Sequence, residues 1–188
     1  EHPLDKNEAR QFIDWANQHF PQVSINLYSG KDWMTDHLDQ WSREEARITG
    51  EKPLILPLLD PLLDMTKPLH KLLLIGEAEE IQALYRAISA DDFPSTAFYL
   101  SKANYLEVTA KHVSKEDALV ELANHYHLSL EEVLTMGDNF NDLPMLKKAG
   151  IGVAMGNAPQ EVKDEAAVVT KDNNENGAGQ AVETYVLI

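Results

Sequence analysis

The segment that decides the fold class is Val133-Leu134-Thr135-Met136-Gly137-Asp138-Asn139-Phe140-Asn141-Asp142. Its apolar start, Val133–Met136, predicts a short strand that runs into Gly137-Asp138. A helix is predicted next, because Pro144 suits its first turns and Gly150 ends it. Strand, polar turn and helix in close succession indicate a βα unit, with its polar groups at the carboxyl end of the strand.

The same alternation extends to both sides of this segment. A capping pair, Ser114 with Asp117, predicts a helix, and Ser129 with Glu132 repeats the signature on a short turn. The apolar residues of that helix are predicted to share one face: Ala118, Leu119, Leu122, Ala123 and Tyr126. Further strands and a last helix are predicted at Ile151–Met155, Ala167–Thr170 and Gly177–Val186. The sequence therefore predicts an α/β fold, with a parallel sheet and flanking helices over this half.

The first 110 residues also mix helices and strands. Apolar positions at helical spacing between Ala9 and Phe20 predict a first helix, and Pro21 ends it. Alternating apolar residues at Val23, Ile25 and Leu27 predict a strand. A second helix is predicted from the spacing of Trp33, Met34, His37, Leu38 and Trp41. Later elements are predicted as strands at Leu72–Ile75, Ala97–Leu100 and Tyr105–Thr109, and as a helix at Glu77–Ser89.

The composition excludes several classes of protein. The 16 Lys and Arg are outnumbered by 31 Asp and Glu, which gives a formal charge of −15 and argues against a nucleic-acid partner. The longest apolar stretches, such as Leu54–Leu59, are far shorter than the ~20 residues that span a membrane, so no membrane insertion is expected. With no cysteine, thiolate metal sites and disulfides are excluded. A cytoplasmic, reducing location is expected.

The polar turn after Val133–Met136 is the candidate site. Asp138 and Asp142 lie together with two carboxamides at the predicted edge of a sheet, and hard oxygen donors of this kind suit Mg²⁺. Since Mg²⁺ takes an octahedral shell and keeps several waters, this turn needs help from other segments and from a phosphate. The alternative is that Asn141 and Asp142 only cap the following helix.

Lys115 is unusual for its position. It lies in the first turn of a predicted helix, where the helix dipole disfavours a cation. The cost is only a few tenths of a kcal/mol for an exposed side chain, so a solvated surface lysine and a functional lysine both fit the sequence.

Three spaced motifs, taken in order, resemble a known superfamily. They are Ser114-Lys115 before a helix, Gly137-Asp138-x-x-Asn141-Asp142-x-x-Met145-Leu146, and Gly152-Val153-Ala154-Met155-Gly156-Asn157-Ala158. Together they are similar to the haloacid dehalogenase superfamily, and more narrowly to the Cof-like phosphatases, which carry a C2-type α/β cap. The resemblance implies a cap that sets specificity over residues 1–107. It implies the C-terminal half of a Rossmann-like core over residues 108–188.

The resemblance also implies roles for individual residues. Asp138 would be a direct Mg²⁺ ligand, and Asp142 an outer-shell carboxylate that orients Lys115 or water on the metal. Asn141 would donate to a phosphate oxygen, while Lys115 would hold the nucleophile and the transferring phosphoryl group by its charge. The implied reaction is Mg²⁺-dependent hydrolysis of small phosphorylated metabolites through an aspartyl-phosphate intermediate.

One departure from the family pattern concerns the nucleophile. No Asp-x-Asp occurs in the 188 residues, so the family's nucleophile and general acid/base are not in this chain, and its first residue is Glu1. We therefore expect the chain to be a truncated piece of a longer enzyme and to be inactive alone. The alternative is a non-catalytic binding module that keeps the scaffold. We also expect the isolated chain to self-associate through an exposed sheet edge.

Overall fold

The computed structural model describes residues 2–64 and 66–187. The chain divides into two compact units, Glu1–Val113 and Ser114–Ile188. The domain boundary predicted between residues 107 and 108 falls within a strand of the first unit, Tyr105–Ala110. Across the described residues, no helix combines the length and the apolar character needed to cross a membrane.

The first unit is built on a six-stranded sheet. Its strands are β1 (Ser24–Ser29), β2 (Asp32–Thr35), β3 (Leu54–Ile55), β4 (Lys71–Ile75), β5 (Thr96–Lys102) and β6 (Tyr105–Ala110). Their order is β3-β2-β1-β4-β6-β5, and all neighbours are antiparallel except the short parallel pair of β2 and β3. Its helices are α1 (Lys6–His19), α2 (Gln40–Thr49), α3 (Asp60–Leu63) and α4 (Ala78–Ala87).

Helix α1 packs on one face of this sheet. Asp5 caps the helix by accepting hydrogen bonds from the backbone N–H groups of Asn7 and Glu8. The predicted apolar stripe of α1 is buried in one cluster with α4 and the alternate residues of the central strands. The fully buried members include Phe12, Ile13, Leu27, Leu72, Leu74, Ile81, Leu84, Leu106 and Val108. This cluster is the core of the first unit.

The helix predicted from Trp33 to Trp41 is wrong. Residues 32–35 form β2, which pairs with β1 across the two-residue loop Gly30-Lys31, where Gly30 has a φ of +59°. A helix, α2, begins only at Gln40, after a capping box formed by Asp39 and Ser42. Pairing with β1, which brings Trp33 opposite Tyr28, overrides the helical spacing of the apolar residues.

The second unit has the predicted alternation of strand and helix. Its elements are α5 (Lys115–His125), β7 (Leu134–Gly137), α6 (Leu143–Lys148), β8 (Ile151–Ala154), α7 (Gln160–Glu165), β9 (Val168–Val169) and α8 (Gly177–Tyr185). The strands form a parallel sheet in the order β7-β8-β9. The predicted α/β class, with a parallel sheet and flanking helices, is confirmed.

The core of the second unit is small. Leu146 of α6 is buried with Ala154, Ala158 and Val162. The predicted apolar face of α5 is only partly correct: Leu119 and Ala123 are buried, but Leu122 is 56% exposed and Tyr126 is 66% exposed. Helix α5 packs on α6, and Leu122 and Tyr126 lie outside this buried contact.

Candidate active site

The candidate site lies at the carboxyl ends of the three parallel strands of the second unit. Strand β7 ends at Gly137, and the acidic turn, which we define as Asp138–Asp142, follows before α6. Asn157 comes shortly after β8, and Asn173 comes shortly after β9. In open α/β sheets, ligands bind at this edge because the loops that follow neighbouring parallel strands meet there.

Asp142 is the buried anchor of the acidic turn, with only 3% of the residue exposed. Its Oδ2 accepts hydrogen bonds from the backbone N–H groups of Asp138, at 2.8 Å, and Asn139, at 3.0 Å. Its Oδ1 accepts from Lys115 Nζ. A buried carboxylate with three donors, one of them a cation, is fully compensated for its loss of water.

The capping-only alternative does not account for this geometry. The Asp142 side chain makes no capping hydrogen bond to α6. It forms instead a capping box with Asn139 around the 3₁₀ turn Phe140–Asp142, and it binds Lys115 as well. Local capping and a longer-range ion pair therefore share one carboxylate.

Lys115 is the first residue of α5, and its side chain is half exposed. Its ion pair with Asp142 explains why a cation is tolerated in the first turn of a helix, since the buried carboxylate offsets the unfavourable dipole. A purely solvated lysine is excluded by this contact. Half of the side chain remains exposed to solvent.

Asp138 is exposed, and its orientation is set by a residue that the sequence analysis did not assign. Asn157 Nδ2 donates a 2.9 Å hydrogen bond to Asp138 Oδ2, while Asn157 Oδ1 accepts from the backbone N–H of Asn173 at 3.1 Å. This bridge joins all three strand ends. The available signal was the position of Asn157 just after a predicted strand, at the same edge as Asp138.

Gly137 is required by the close approach of the acidic turn to the strand. A Cβ at this position would lie 2.4 Å from the Cβ of Asp142 and 2.8 Å from its Oδ2. Any larger residue would push the buried carboxylate away from its N–H donors. The glycine before Asp138 therefore permits the hydrogen bonding that holds Asp142.

These residues fit part of a magnesium site. Asp138 offers a solvent-facing carboxylate, and Asp142 lies beside it as a fully bonded one. Among residues 2–64 and 66–187, no cluster of three or more His, Asp or Glu side chains could hold a metal ion. Mg²⁺ commonly binds through one or two carboxylates, several waters and substrate phosphate, so one ligand from this turn is compatible with such a site.

Comparison with known proteins identifies the family. The family model of the haloacid dehalogenase-like hydrolases matches residues 1–182. The chain belongs to this family. The predicted membership of the haloacid dehalogenase superfamily is therefore confirmed.

Individual relatives of this haloacid dehalogenase-like hydrolase are longer than the chain. It is 39% identical over 164 residues to a putative phosphatase of Haemophilus influenzae, covering 87% of this chain and 60% of the relative. It is 34% identical to the putative phosphatase YxeH of Bacillus subtilis, covering 98% and 63% of the two chains. A crystal structure of a haloacid dehalogenase-like hydrolase from Bacteroides thetaiotaomicron has a TM-score of 0.80 at 30% identity, covering 98% of this chain and 68% of that one.

In this member of the family, the structure brings the predicted residues to one edge of the sheet. Lys115 and Asp142 form an ion pair, and the backbone of Asp138 contacts the same carboxylate. Asn141 lies in the same turn, half-buried, and its side chain makes no hydrogen bond to another described residue. The arrangement can hold a cation at Asp138 and present one positive charge and one amide to an anion.

Proposed function

We propose that this chain supplies the metal-holding turn of a Mg²⁺-dependent phosphatase that hydrolyses small phosphorylated metabolites. The observation that carries the proposal lies at the ends of parallel strands: an exposed Asp138, held by Asn157, stands beside the ion pair of the buried Asp142 with Lys115. Membership of a hydrolase family and similarity to proteins described as putative phosphatases support it.

Each residue has one proposed task. Asp138 binds Mg²⁺ directly, and Asp142 stays outside the metal shell and keeps Lys115 in place. Lys115 holds the attacking carboxylate and the transferring phosphoryl group by its charge, and Asn141 donates to a phosphate oxygen. When bound, Mg²⁺ neutralises charge on the phosphate oxygens.

We further propose that the nucleophile and the general acid/base belong to carboxylates outside this chain. No Asp-x-Asp pair occurs among its 188 residues, and it spans about 60% of the length of the curated relative from Haemophilus influenzae. In this account the chain alone is inactive, and an aspartyl-phosphate intermediate forms only in the intact protein. The first unit is assigned as the specificity cap and the second as the C-terminal half of the core. A cytoplasmic location remains a prediction from the cysteine-free composition.

The test is hydrolysis of a generic phosphate ester by the full-length parent protein, with and without Mg²⁺. We expect Asp138→Asn to remove most of the Mg²⁺-dependent rate, while Asp91→Asn, at an exposed carboxylate of the first unit, leaves it unchanged. The present chain serves as the blank. Unchanged turnover by Asp138→Asn would remove this residue from the metal site.

The second candidate function is a non-catalytic binding module that keeps the scaffold. The absence of Asp-x-Asp from the sequence favours it. The upstream reading frame of the gene distinguishes the two candidate functions, because the enzyme requires a frame that continues upstream through a strand ending in Asp-x-Asp. A reading frame that starts near Glu1 would support the module.

A further inference from the structure

A basic cleft in the first unit is the strongest additional feature. It has a volume of about 1080 Å³, and its described lining includes Lys6, Arg10, Lys67 and Lys111 but only one carboxylate, Asp5. Among the described lining residues there are thus four Lys and Arg side chains and one carboxylate. Its charge is opposite to that of the whole chain, which carries a formal −15.

Asp5 and Glu8, which are close in sequence to Lys6 and Arg10, are already hydrogen-bonded within the fold. Asp5 Oδ1 accepts from the backbone N–H groups of Asn7 and Glu8, both at 2.9 Å. The Glu8 carboxylate accepts from the backbone N–H of Ser95 at 3.1 Å and from Thr96 Oγ1 at 2.6 Å. Both carboxylates are engaged by uncharged donors of the fold, and neither forms an ion pair with a lining cation.

The four cations are not equally engaged. Lys6 Nζ donates to the backbone carbonyls of Pro61, at 3.3 Å, and Asp64, and Lys67 Nζ lies 3.5 Å from Asp32 Oδ2. Arg10 and Lys111 are exposed, and neither side chain contacts a carboxylate among the described residues. These two side chains are therefore available to an anion.

The walls of the cleft are held by backbone hydrogen bonds between separate segments. The N–H of Leu4 donates to the carbonyl of Leu69 at 2.7 Å, and the N–H of Lys111 donates to the carbonyl of Ser95 at 2.9 Å. Leu4, Leu62 and Leu69 form a buried apolar floor. The cations thus project from a fixed frame, which reduces the entropy lost when a ligand binds.

We propose that this cleft binds a small molecule with two or more phosphate groups. Cations from three segments, namely α1, the chain after α3 and the chain after β6, suit a ligand with several anionic groups better than a single ion. A long polyanion such as nucleic acid would meet the negative charge of the rest of the surface, whereas a small one would not. The site does not depend on the proposed phosphatase activity or on Mg²⁺.

The test is calorimetric titration of the full chain with sodium triphosphate and with orthophosphate, in a buffer that contains EDTA. We expect triphosphate to bind at one site, about tenfold or more tighter than orthophosphate, and more weakly as salt is raised. Arg10→Gln and Lys111→Gln should each weaken binding about tenfold, because each removes a charge-assisted contact. Arg43→Gln and Lys52→Gln, at exposed cations elsewhere in the first unit, are the matched controls and should bind as the wild type does.

The variants also locate the binding. If Lys115→Gln abolishes triphosphate binding while Arg10→Gln does not, the ligand sits at the acidic turn and the proposal is wrong. Absence of triphosphate binding would overturn it as well, as would equal losses in the control variants, which would indicate diffuse charge attraction. Tighter binding of a short oligonucleotide than of triphosphate would replace the proposed ligand with nucleic acid. Thermal melts should show the variants of Arg10, Lys111, Arg43 and Lys52 folded as the wild type is.

Discussion

Asn157 Nδ2 lies 2.9 Å from Asp138 Oδ2, so a side chain that follows β8 holds the carboxylate that follows β7. The same Asn157 accepts from the backbone of Asn173, which follows β9. One carboxamide therefore couples the orientation of the proposed metal ligand to the third strand of the sheet. Residues that orient a metal ligand through its second oxygen commonly affect metal affinity.

The first prediction concerns this carboxamide. In the full-length parent, Asn157→Ala should raise the Mg²⁺ concentration needed for half-maximal hydrolysis by about tenfold, with the rate at saturating Mg²⁺ largely restored. The measurement is a titration of activity with Mg²⁺. Asn124→Ala, at an exposed position of α5, is the control and should leave the curve unchanged. A loss of rate at every Mg²⁺ concentration, with an unchanged midpoint, would argue against an orienting role.

The second prediction concerns the ion pair of Lys115. Lys115→Met leaves the buried Asp142 with only its two backbone donors, and we expect a loss of about 1–2 kcal/mol in the free energy of unfolding, since the half-exposed lysine reduces the cost. Lys148→Met removes a surface pair with Glu116 and should cost less than about 0.5 kcal/mol. Urea unfolding of the chain measures both. Equal losses would mean that Asp142 does not depend on Lys115.

The third prediction is a pH dependence. Burial, followed by the hydrogen bond to Glu45, raises the pKa of Tyr105 above its ordinary value of 10.0. The folded state therefore keeps a proton that the unfolded state releases, so this contribution to stability is complete below pH 10 and is lost as pH rises through the raised pKa. Tyr28, whose pKa burial also raises, adds a change of the same sign.

The variant Tyr105→Phe separates these contributions. Tyr105 donates a 2.7 Å hydrogen bond to Glu45, and its removal should cost about 1–3 kcal/mol at neutral pH, because a mostly buried carboxylate loses its donor. The decline in stability above pH 10 should then be smaller than in the wild type. Tyr85→Phe, at an exposed tyrosine, is the control. The measurement is the free energy of urea unfolding at several pH values. If stability falls above pH 10 as steeply in Tyr105→Phe as in the wild type, the prediction is wrong.

The fourth prediction is self-association of the isolated chain. Strand β7 is the end strand of its sheet among the described residues, and Leu122 of α5 and Tyr126, which caps the end of α5, are exposed. Unpaired strand edges and exposed apolar side chains favour contact with another copy. Light scattering should show a mass that rises with concentration and that Leu122→Lys lowers, whereas Leu63→Lys, at an exposed leucine of the first unit, does not. A monomer with a cooperative thermal transition at every concentration would refute this.

Local signals in the sequence were sufficient to predict most helices and strands of the second unit. The Ser114–Asp117 hydrogen bond and the Ser129–Glu132 capping box are both present, and they start the helix and the turn where predicted. The strand β2 was missed because the spacing of Trp33 and Met34 fits a helix, and only pairing with β1 decides otherwise.

The contacts that shape the site were harder to predict from the sequence than the helices and strands. The acidic turn and Lys115 were recognised from motif and position, but the bond from Asn157 to Asp138 spans 19 residues and depends on the sheet. The basic cleft was missed for the same reason, since its cations come from segments far apart in the chain. Long-range geometry of this kind has no local signature.

The most direct test of the central claim is a crystal of the intact parent protein soaked in Mn²⁺ as an anomalous substitute for Mg²⁺. The account predicts an anomalous peak about 2.0–2.2 Å from a carboxylate oxygen of Asp138, with Asp142 bound to Lys115 and outside the metal shell. A peak at another site, or one coordinated by Asp142 and not by Asp138, would contradict it.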